Sequence, residues 1–204
     1  MKLFLFDFDG VIVDSLAVYE KTVKDNLQKI NQPIIKNRED FLELFDDNFY
    51  ESLKKKGIDL DVFIKAAEDI LAQVKIKDMK PFSEIAPVIE ELYKKHCLVV
   101  VSSNDNSSIK EALEFFNYDI YFKEILGSDF MFSKKEKILY AAKKYQVELQ
   151  NIYYIGDTTG DIKEGKQAGV KTVGVTWGWH SKEKMAASKP DYLFDNPQLL
   201  LTLN

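Results

Sequence analysis

The feature that most restricts how this chain can fold is a short apolar run, residues 3–6, that stops abruptly at two aspartates. Asp7, Phe8, Asp9 and Gly10 follow the run directly. Such a run is typical of a strand that is buried on both faces of a parallel sheet. If the backbone stays extended past the run, the two-residue period of a strand places Asp7 and Asp9 on the same side. Neighbouring carboxylates repel each other and lose hydration, so the pair predicts a cation site or a catalytic centre.

A hairpin turn is the alternative interpretation of this segment, because Asp and Gly are both common turn residues. It fits poorly, because residues 11–19 do not form an alternating partner strand and instead change to helical periodicity. We therefore favour a strand end that carries functional carboxylates.

The composition restricts the partners and the location that we expect. The 204 residues suffice for one large core, or for a core with a small second domain. The net charge is −5 and no long basic run occurs, which argues against nucleic acid or an anionic membrane as a partner. No stretch approaches the ~20 apolar residues of a membrane helix, and the first apolar run is too short for a signal peptide. We expect a cytoplasmic protein, in which the single cysteine, Cys97, packs as a buried apolar residue.

Apolar residues recur at helical spacing through the first half of the chain. One helix is expected over residues 16–27, a second over 41–49 and a third over 62–71, with Gly57 ending the second segment. No strand is expected within residues 15–80. This part of the chain is predicted to form an all-helical block.

After Pro81 the pattern changes to short apolar runs that alternate with single helices. Strands are expected at residues 97–101, 125–126, 152–155, 172–175 and 192–194, with helices at 85–93, 107–116, 136–145 and 161–168. This alternation predicts an α/β fold with a Rossmann-like, doubly wound parallel sheet. Residues 1–14 and 81–204 would form the catalytic core, and residues 15–80 would be inserted into it.

Three of the expected strands end in polar clusters. The first is Asp7 and Asp9, the second is residues 102–104, and the third is residues 156–161. Ligands of such sheets bind beyond the carboxyl ends of the strands, so we expect the three clusters to meet in one crevice. Asp157 and Asp161 are four residues apart and would share a helix face, although either could also cap the helix.

On these motifs the chain resembles the haloacid dehalogenase-like (HAD) superfamily of phosphatases. The matching segments, in chain order, are Asp7-Phe8-Asp9-Gly10-Val11 for the DxDG signature, Ser102 after a strand, Lys134 or Lys135, and Gly156, Asp157 and Asp161 for GDxxxD. The lysine–proline form of the third motif is absent here. Both lysines therefore remain candidates, and we favour Lys134.

Within that superfamily the chain is most similar to the phosphoglycolate-phosphatase-like group, which carries a helical cap inserted after the first motif. Asp14-Ser15 follows the first motif as in that group. Residues 173–178 and 190–192 also match, and the group has a C-terminal helix after them. The resemblance implies a HAD-like core, residues 1–14 and 81–204, and a cap, residues 15–80.

The resemblance also implies catalytic roles for the carboxylates. Asp7 would be the nucleophile that forms an aspartyl-phosphate, and Asp9 the general acid and then the base. Mg²⁺ would be held by Asp7, by the backbone carbonyl of Asp9 and by Asp157. Asp161 would act on the metal through water or by orienting its ligands.

Phosphate binding is implied for a further set of residues. Ser102 would donate its hydroxyl to a phosphate oxygen, and the backbone N–H groups of Asp9, Gly10 and Ser103 would help. Lys134 would neutralise charge that develops on the transferring phosphoryl group.

Together these expectations describe a Mg²⁺-dependent phosphatase for a small phosphorylated metabolite, similar to phosphoglycolate phosphatase. A phosphosugar mutase of the β-phosphoglucomutase type and a non-catalytic binding protein on the same fold are the alternatives. The partner would be a small-molecule phosphate ester, and the protein a monomer or homodimer. Arg38, the only arginine, could meet an acidic substrate or simply be a solvated surface residue. Trp177, Trp179 and His180 could line the entrance, although core packing is expected for at least one tryptophan.

Overall fold

Six parallel strands form the central sheet of this protein, whose structure is a computed structural model describing residues 1–203. The strands of this sheet are β1 (Leu3–Phe6), β4 (Cys97–Val101), β5 (Glu124–Leu126), β6 (Ile152–Gly156), β7 (Lys171–Val175) and β8 (Tyr192–Phe194), and a separate ribbon consists of β2 (Val13–Asp14) and β3 (Lys80–Pro81). The α-helices are α1 (Leu16–Lys29), α2 (Arg38–Leu42), α3 (Phe49–Lys55), α4 (Leu60–Leu71), α5 (Ile85–Tyr93), α6 (Asn106–Phe115), α7 (Lys134–Tyr145), α8 (Thr159–Ala168) and α9 (Lys182–Ala187). The prediction of an α/β fold with a Rossmann-like parallel sheet is confirmed.

The first strand lies at the centre of the sheet, whose order is β5-β4-β1-β6-β7-β8. All four residues of β1 are fully buried, as the unbroken apolar run predicts. Phe4 and Phe6 pack into the core on one face, whereas Leu3 and Leu5 pack into the core on the other. This is the two-residue alternation of a strand that is covered on both sides.

Helices cover both faces of the sheet. Apolar side chains of α5 and α6 pack into the same core as Phe4, and those of α7 and α8 pack into the core that contains Leu3. The strands β4 and β5 lie on one side of β1, and the strands β6 to β8 lie on its other side, so the strand order changes direction at β1. Ligand crevices of such sheets form at this point, at the carboxyl ends of the strands.

The helical block, residues 15–80, has its own apolar cluster, in which Phe41, Phe49 and Leu53 are buried. The second predicted helix is wrong in its extent. The chain forms α2, a 3-10 turn over residues 43–45, and then α3. The break arises because the Asn48 side chain accepts hydrogen bonds from two backbone N–H groups and starts α3 afresh.

A short ribbon borders the helical block, and only its residue Lys80 lies within residues 15–80. The strands β2 and β3 pair antiparallel, with Val13 opposite Pro81 and Asp14 opposite Lys80. This two-residue ribbon joins the two points at which the chain enters and leaves the block. It is too short to show alternation in the sequence, because each strand has only two residues.

Two further differences concern the end of the chain. Helix α9 is capped by Ser181, whose side chain accepts from the backbone N–H of Lys184, and it lies in a segment for which no helix was predicted. The expected C-terminal helix is a 3-10 helix over Pro197–Leu203. Within residues 1–203, no helix combines the length and apolar character needed to cross a bilayer.

Candidate active site

The carboxyl ends of β4, β1 and β6 lie side by side, because Phe6 of β1 is in register with Val100 and with Ile155. The polar residues that follow these strands surround a cavity of about 20 Å³, which we call the catalytic cavity. Its lining residues are Asp7, Asp9, Tyr19, Phe45, Ser102, Ser103, Lys134, Asp157, Thr158 and Trp179. The structure therefore brings together the clusters that the sequence places at three separate strand ends.

Lysine 134 is the cation of this cavity. Its Nζ donates to Asp7 Oδ2 at 2.6 Å and to Asp161 Oδ1 at 2.6 Å, and all three side chains are buried. Lys135 does not line the cavity, and its backbone N–H donates to Glu164. Of the two lysines left open by the sequence, the structure thus places Lys134 against the candidate nucleophile.

The two aspartates of the first motif have different surroundings. Asp7 Oδ1 accepts from the backbone N–H of Phe8 at 2.7 Å, whereas Asp9 Oδ1 accepts from the Ser15 hydroxyl at 2.7 Å. Burial raises the pKa of Asp7 to about 7, although Lys134 opposes the shift. Burial also raises the pKa of Asp9 to about 6, and the Ser15 hydrogen bond opposes it. The sequence analysis assigned no role to Ser15.

Gly10 allows the loop after β1 to lie directly against Asp157. Its φ is +79°, and a Cβ at this position would lie 2.0 Å from Asp157 Oδ2. Gly178 approaches the same aspartate from another loop, where a Cβ would lie 2.3 Å from the Asp157 Cβ. Gly178 was not predicted as a site residue, because its neighbour is 21 positions away in the chain.

The acidic residues fit a hard cation. Carboxylate oxygens of Asp7, Asp157 and Asp161 lie within 4.8 Å of one another, and all three residues are buried. Burial, followed by the charges of Asp161 and Asp7, raises the pKa of Asp157 well above its usual range. Asp157 Oδ2 accepts from the backbone N–H of Trp179, but the buried Oδ1 has no hydrogen-bond partner among residues 1–203. A buried carboxylate oxygen without a partner is costly, and a divalent cation would satisfy it.

The oxygens of Asp161 are already occupied by hydrogen bonds. Its Oδ1 accepts from Lys134 and from the Tyr154 hydroxyl, and its Oδ2 accepts from the hydroxyl and N–H of Thr158. Burial raises the pKa of Asp161, but Lys134 and these hydrogen bonds outweigh burial and hold the pKa below its ordinary value. This arrangement fits a residue that holds Lys134 in place better than one that binds a metal directly.

The loop after β4 is held by two side chains that the sequence analysis did not identify. Lys137 Nζ donates to the backbone oxygen of Ser102 at 2.6 Å, and the Tyr50 hydroxyl donates to that of Ser103 at 2.9 Å. Lys137 is fully buried. It lies three residues after Lys134 on α7, and this i, i+3 spacing on one helix face is the signal that could have revealed it.

Lys137 should make the stability of the protein depend on pH. Burial, followed by the nearby charge of Lys134, lowers the pKa of Lys137 to about 7, although Asp7, Glu164 and Asp129 favour its charged form. In the unfolded chain the ordinary value is near 10.5. Between pH 7 and 10 the unfolded state therefore binds the extra proton, so the wild-type protein should gain stability as pH rises.

A Lys137→Met variant isolates this effect. Below pH 7, Lys137 is protonated in both the folded and the unfolded wild type, so the folded protein bears the full cost of a buried charge. The free energy of unfolding of the variant, relative to that of the wild type, should therefore be largest there. Between pH 7.5 and 9.5 this relative advantage of the variant should shrink by about 2 kcal/mol, since the slope is about 1.4 kcal/mol per pH unit at most. Urea denaturation at several pH values measures it. Lys143→Met on the exposed side of α7 is the matched control, and an advantage that does not change with pH would contradict the prediction.

Side chains of the helical block also line the catalytic cavity, namely Tyr19 and Phe45. The Trp179 ring packs among Tyr19, Phe41 and Phe45 of the block. His180 Nδ1 accepts from the backbone N–H of Thr159, and its Nε2 lies 3.0 Å from the Leu42 carbonyl oxygen. Trp179 and His180 therefore join the sheet to the helical block.

Trp177 and Arg38 lie outside the catalytic cavity. Trp177 Nε1 donates to the carbonyl oxygen of Val11 at 3.2 Å. Arg38 Nε donates to Glu20 Oε2 at 2.8 Å, and its side chain is 58% exposed. The second sequence interpretation of Arg38, a solvated surface residue, agrees with this position.

Comparisons with known proteins give a consistent result. A family model described as haloacid dehalogenase-like hydrolase matches residues 4–175. A phosphoglycolate phosphatase of Synechococcus elongatus is 25% identical, over 98% of this chain and 96% of that protein. The pyrophosphatase PpaX of Listeria welshimeri is 26% identical, over 98% of this chain and 94% of that protein.

A solved structure from Streptococcus pneumoniae, described as a haloacid dehalogenase-like hydrolase, superimposes with a TM-score of 0.82. It covers 99% of this chain and 97% of its own chain, with 20% sequence identity. At this identity the likeness supports the fold alone.

Proposed function

Since this chain belongs to the haloacid dehalogenase-like hydrolase family, we propose that it is a Mg²⁺-dependent phosphatase of a small phosphorylated metabolite. The proposal includes an aspartyl-phosphate intermediate on Asp7. The observation that carries it is the meeting of Asp7, Asp9, Ser102 and Lys134 around one cavity. Relatives named as phosphatases, at about a quarter identity over nearly the whole chain, support the same reaction class.

In the first half of the reaction, an Asp7 carboxylate oxygen attacks phosphorus and the bond from phosphorus to the substrate's alcohol oxygen breaks. Asp9 gives its proton to that alcohol oxygen, so a neutral alcohol leaves. Lys134 orients Asp7 and offsets negative charge on the transferring phosphoryl group. The Ser102 hydroxyl and the backbone N–H groups of Gly10 and Ser103 would donate to the other phosphate oxygens.

In the second half, water attacks the phosphorus atom of the aspartyl-phosphate. Asp9, now ionised, takes a proton from that water, and Asp7 leaves as a carboxylate with release of inorganic phosphate. A group that serves first as acid and then as base works best with a pKa near the working pH. Burial raises the pKa of Asp9 to about 6, which suits both duties.

The metal would be held by the side chains of Asp7 and Asp157 and by the backbone carbonyl of Asp9. The unpartnered Asp157 Oδ1 supports this assignment. When bound, Mg²⁺ would offset the repulsion between the phosphate and the clustered carboxylates.

We also propose that residues 15–80 act as a cap over a core made of residues 1–14 and 81–204. Tyr19 and Phe45 of the block line the catalytic cavity, and Asn48 Nδ2 donates to Glu164 Oε2 of α8 at 3.0 Å. Closure of this kind excludes water from the reacting groups. The cytoplasmic location and a monomeric or homodimeric state stay predictions.

Hydrolysis of p-nitrophenyl phosphate tests the proposed function. We expect turnover with Mg²⁺, loss of turnover with EDTA, and recovery when Mg²⁺ is added in excess. An Asp157→Asn variant should need about tenfold or more Mg²⁺ for half-maximal rate, because a neutral amide oxygen binds the cation more weakly than a carboxylate does. Absence of turnover with any divalent cation would refute the phosphatase proposal.

A further inference from the structure

A second, much larger cavity opens beside the catalytic cavity, and we call it the side cavity. Its volume is about 670 Å³, and it shares Tyr19 and Ser103 with the wall of the catalytic cavity. Residues of α1 and α4 form one side, and residues of α6 with the loop after β4 form the other. Cavities of several hundred Å³ hold small-molecule ligands. If the phosphate of an ester lies at Asp7, the side cavity is the neighbouring space large enough for its alcohol portion.

The charged side chains of the side cavity are all acidic. Glu68, Asp105, Glu111 and Asp129 line it, and none of its lining residues in the described part of the chain is lysine, arginine or histidine. Hydrogen bonds from Ser107 and Ser108 outweigh burial and lower the pKa of Asp105, so it is a carboxylate at neutral pH. A negatively charged alcohol portion would be repelled chiefly by the half-buried Asp105, because Glu68, Glu111 and Asp129 are exposed and screened by solvent.

The side cavity also presents hydrogen-bond acceptors, because ionised carboxylates only accept hydrogen bonds. Asp105 Oδ1 accepts from Ser107 and Ser108, and Glu68, Glu111 and Asp129 bring further carboxylates to the wall. A wall of this kind is complementary to a ligand that supplies N–H or O–H groups.

We propose that the alcohol portion of the substrate carries N–H or O–H donors and no negative charge. This inference rests on the phosphatase function proposed above and specifies its substrate class. It departs from the expectation of a substrate like 2-phosphoglycolate, because the alcohol portion of that ester, glycolate, carries a carboxylate. Arg38, which would complement a carboxylate, does not line the cavity and pairs with Glu20. The negative charge of the phosphate group would be offset by Lys134 in the catalytic cavity, whereas the alcohol portion would face the acidic wall of the side cavity.

Three two-carbon esters that differ in one end group test the proposal. They are 2-hydroxyethyl phosphate, O-phosphoethanolamine and 2-phosphoglycolate, with a hydroxyl, an ammonium and a carboxylate respectively. We expect kcat/KM for each of the first two to exceed that for 2-phosphoglycolate by about tenfold or more, since specificity here comes from uncompensated charge. An equal or higher kcat/KM for 2-phosphoglycolate would overturn the proposal.

An Asp105→Asn variant locates the discrimination in the side cavity. It keeps the shape of the side chain and its ability to cap α6, but it removes one negative charge. The ratio of kcat/KM between 2-hydroxyethyl phosphate and 2-phosphoglycolate should fall by about threefold or more. Asp59→Asn, at the N-cap of α4 and outside the cavity lining, is the matched control and should leave the ratio unchanged.

A binding measurement separates failure of this proposal from failure of the phosphatase function. Calorimetric titration of the same esters into the Asp7→Asn variant with Mg²⁺ reports the preference without turnover. Weaker binding of 2-phosphoglycolate than of the other two supports the proposal even if no ester is hydrolysed by the wild type. Equal or tighter binding of 2-phosphoglycolate refutes it, whatever the result with p-nitrophenyl phosphate.

Discussion

An Asp7→Asn variant is expected to hydrolyse p-nitrophenyl phosphate at least about 10⁴-fold more slowly than the wild type, because loss of a nucleophile removes the covalent route. Asp7 is buried at the end of the central strand with Lys134 at 2.6 Å, so no other carboxylate can take its position without moving the backbone. Steady-state rates at saturating Mg²⁺ measure the loss. Rapid quenching of the wild type, followed by peptide mass spectrometry, should find phosphate on the peptide that contains Asp7.

Two controls show that the loss is chemical. Asp14→Asn makes the same substitution on an exposed residue of β2 and should keep wild-type activity. Asp7→Asn should also unfold at a temperature close to that of the wild type, because Lys134 retains Asp161 as a partner. An Asp7→Asn enzyme that keeps a tenth or more of the activity would show that Asp7 is not the nucleophile.

An Asp9→Asn variant is expected to lose about 10²- to 10⁴-fold in kcat, the usual contribution of a general acid–base group. The loss should depend on the leaving group. An alkyl phosphate needs a proton on its departing oxygen, whereas p-nitrophenolate departs without one. With p-nitrophenyl phosphate the first half of the reaction should therefore survive better than the second, and a burst of p-nitrophenol should precede slow turnover.

Stopped-flow absorbance at enzyme concentrations near the substrate concentration detects that burst. Ser15→Ala provides a comparison, because it removes the hydrogen bond to Asp9 and leaves the carboxyl in place. It should reduce kcat far less than Asp9→Asn does. Equal losses for an alkyl phosphate and for p-nitrophenyl phosphate in Asp9→Asn, without a burst, would contradict the acid–base assignment.

Much of the fold follows from local pattern. The four apolar residues before Asp7 predict a strand that is covered on both faces, and β1 lies at the centre of the sheet with all four residues buried. The family resemblance rests on motifs at three strand ends and is confirmed by the match over residues 4–175. Parallel strands bring their carboxyl ends to one edge, so the meeting of Asp7, Ser102 and Asp157 could be expected from topology.

Other parts of the site could not be read from the sequence. Trp179 donates its backbone N–H to Asp157 across 22 positions, and Lys137 supports the Ser102 carbonyl across 35. The i, i+3 spacing from Lys134 places Lys137 on the same helix face, but neither contact partner can be inferred from spacing, because each contact depends on how a loop or helix packs against the sheet. The break between α2 and α3 was missed for a local reason, since capping by Asn48 competes with continued apolar spacing.

The sequence by itself predicted which residues make up the candidate active site, because spacing within a strand and order along the chain decide which carboxylates reach the same sheet edge. Only the tertiary structure decided what surrounds the alcohol portion of a substrate. The side cavity lies where α1 and α4 of the helical block face α6 and the loop after β4, and its charge is the sum of residues that are far apart in sequence. The total charge of these residues is negative. Arg38 does not offset it, because Arg38 pairs with Glu20 outside the cavity. Electrostatic surroundings depend on distances in space, which periodicity along a chain does not contain.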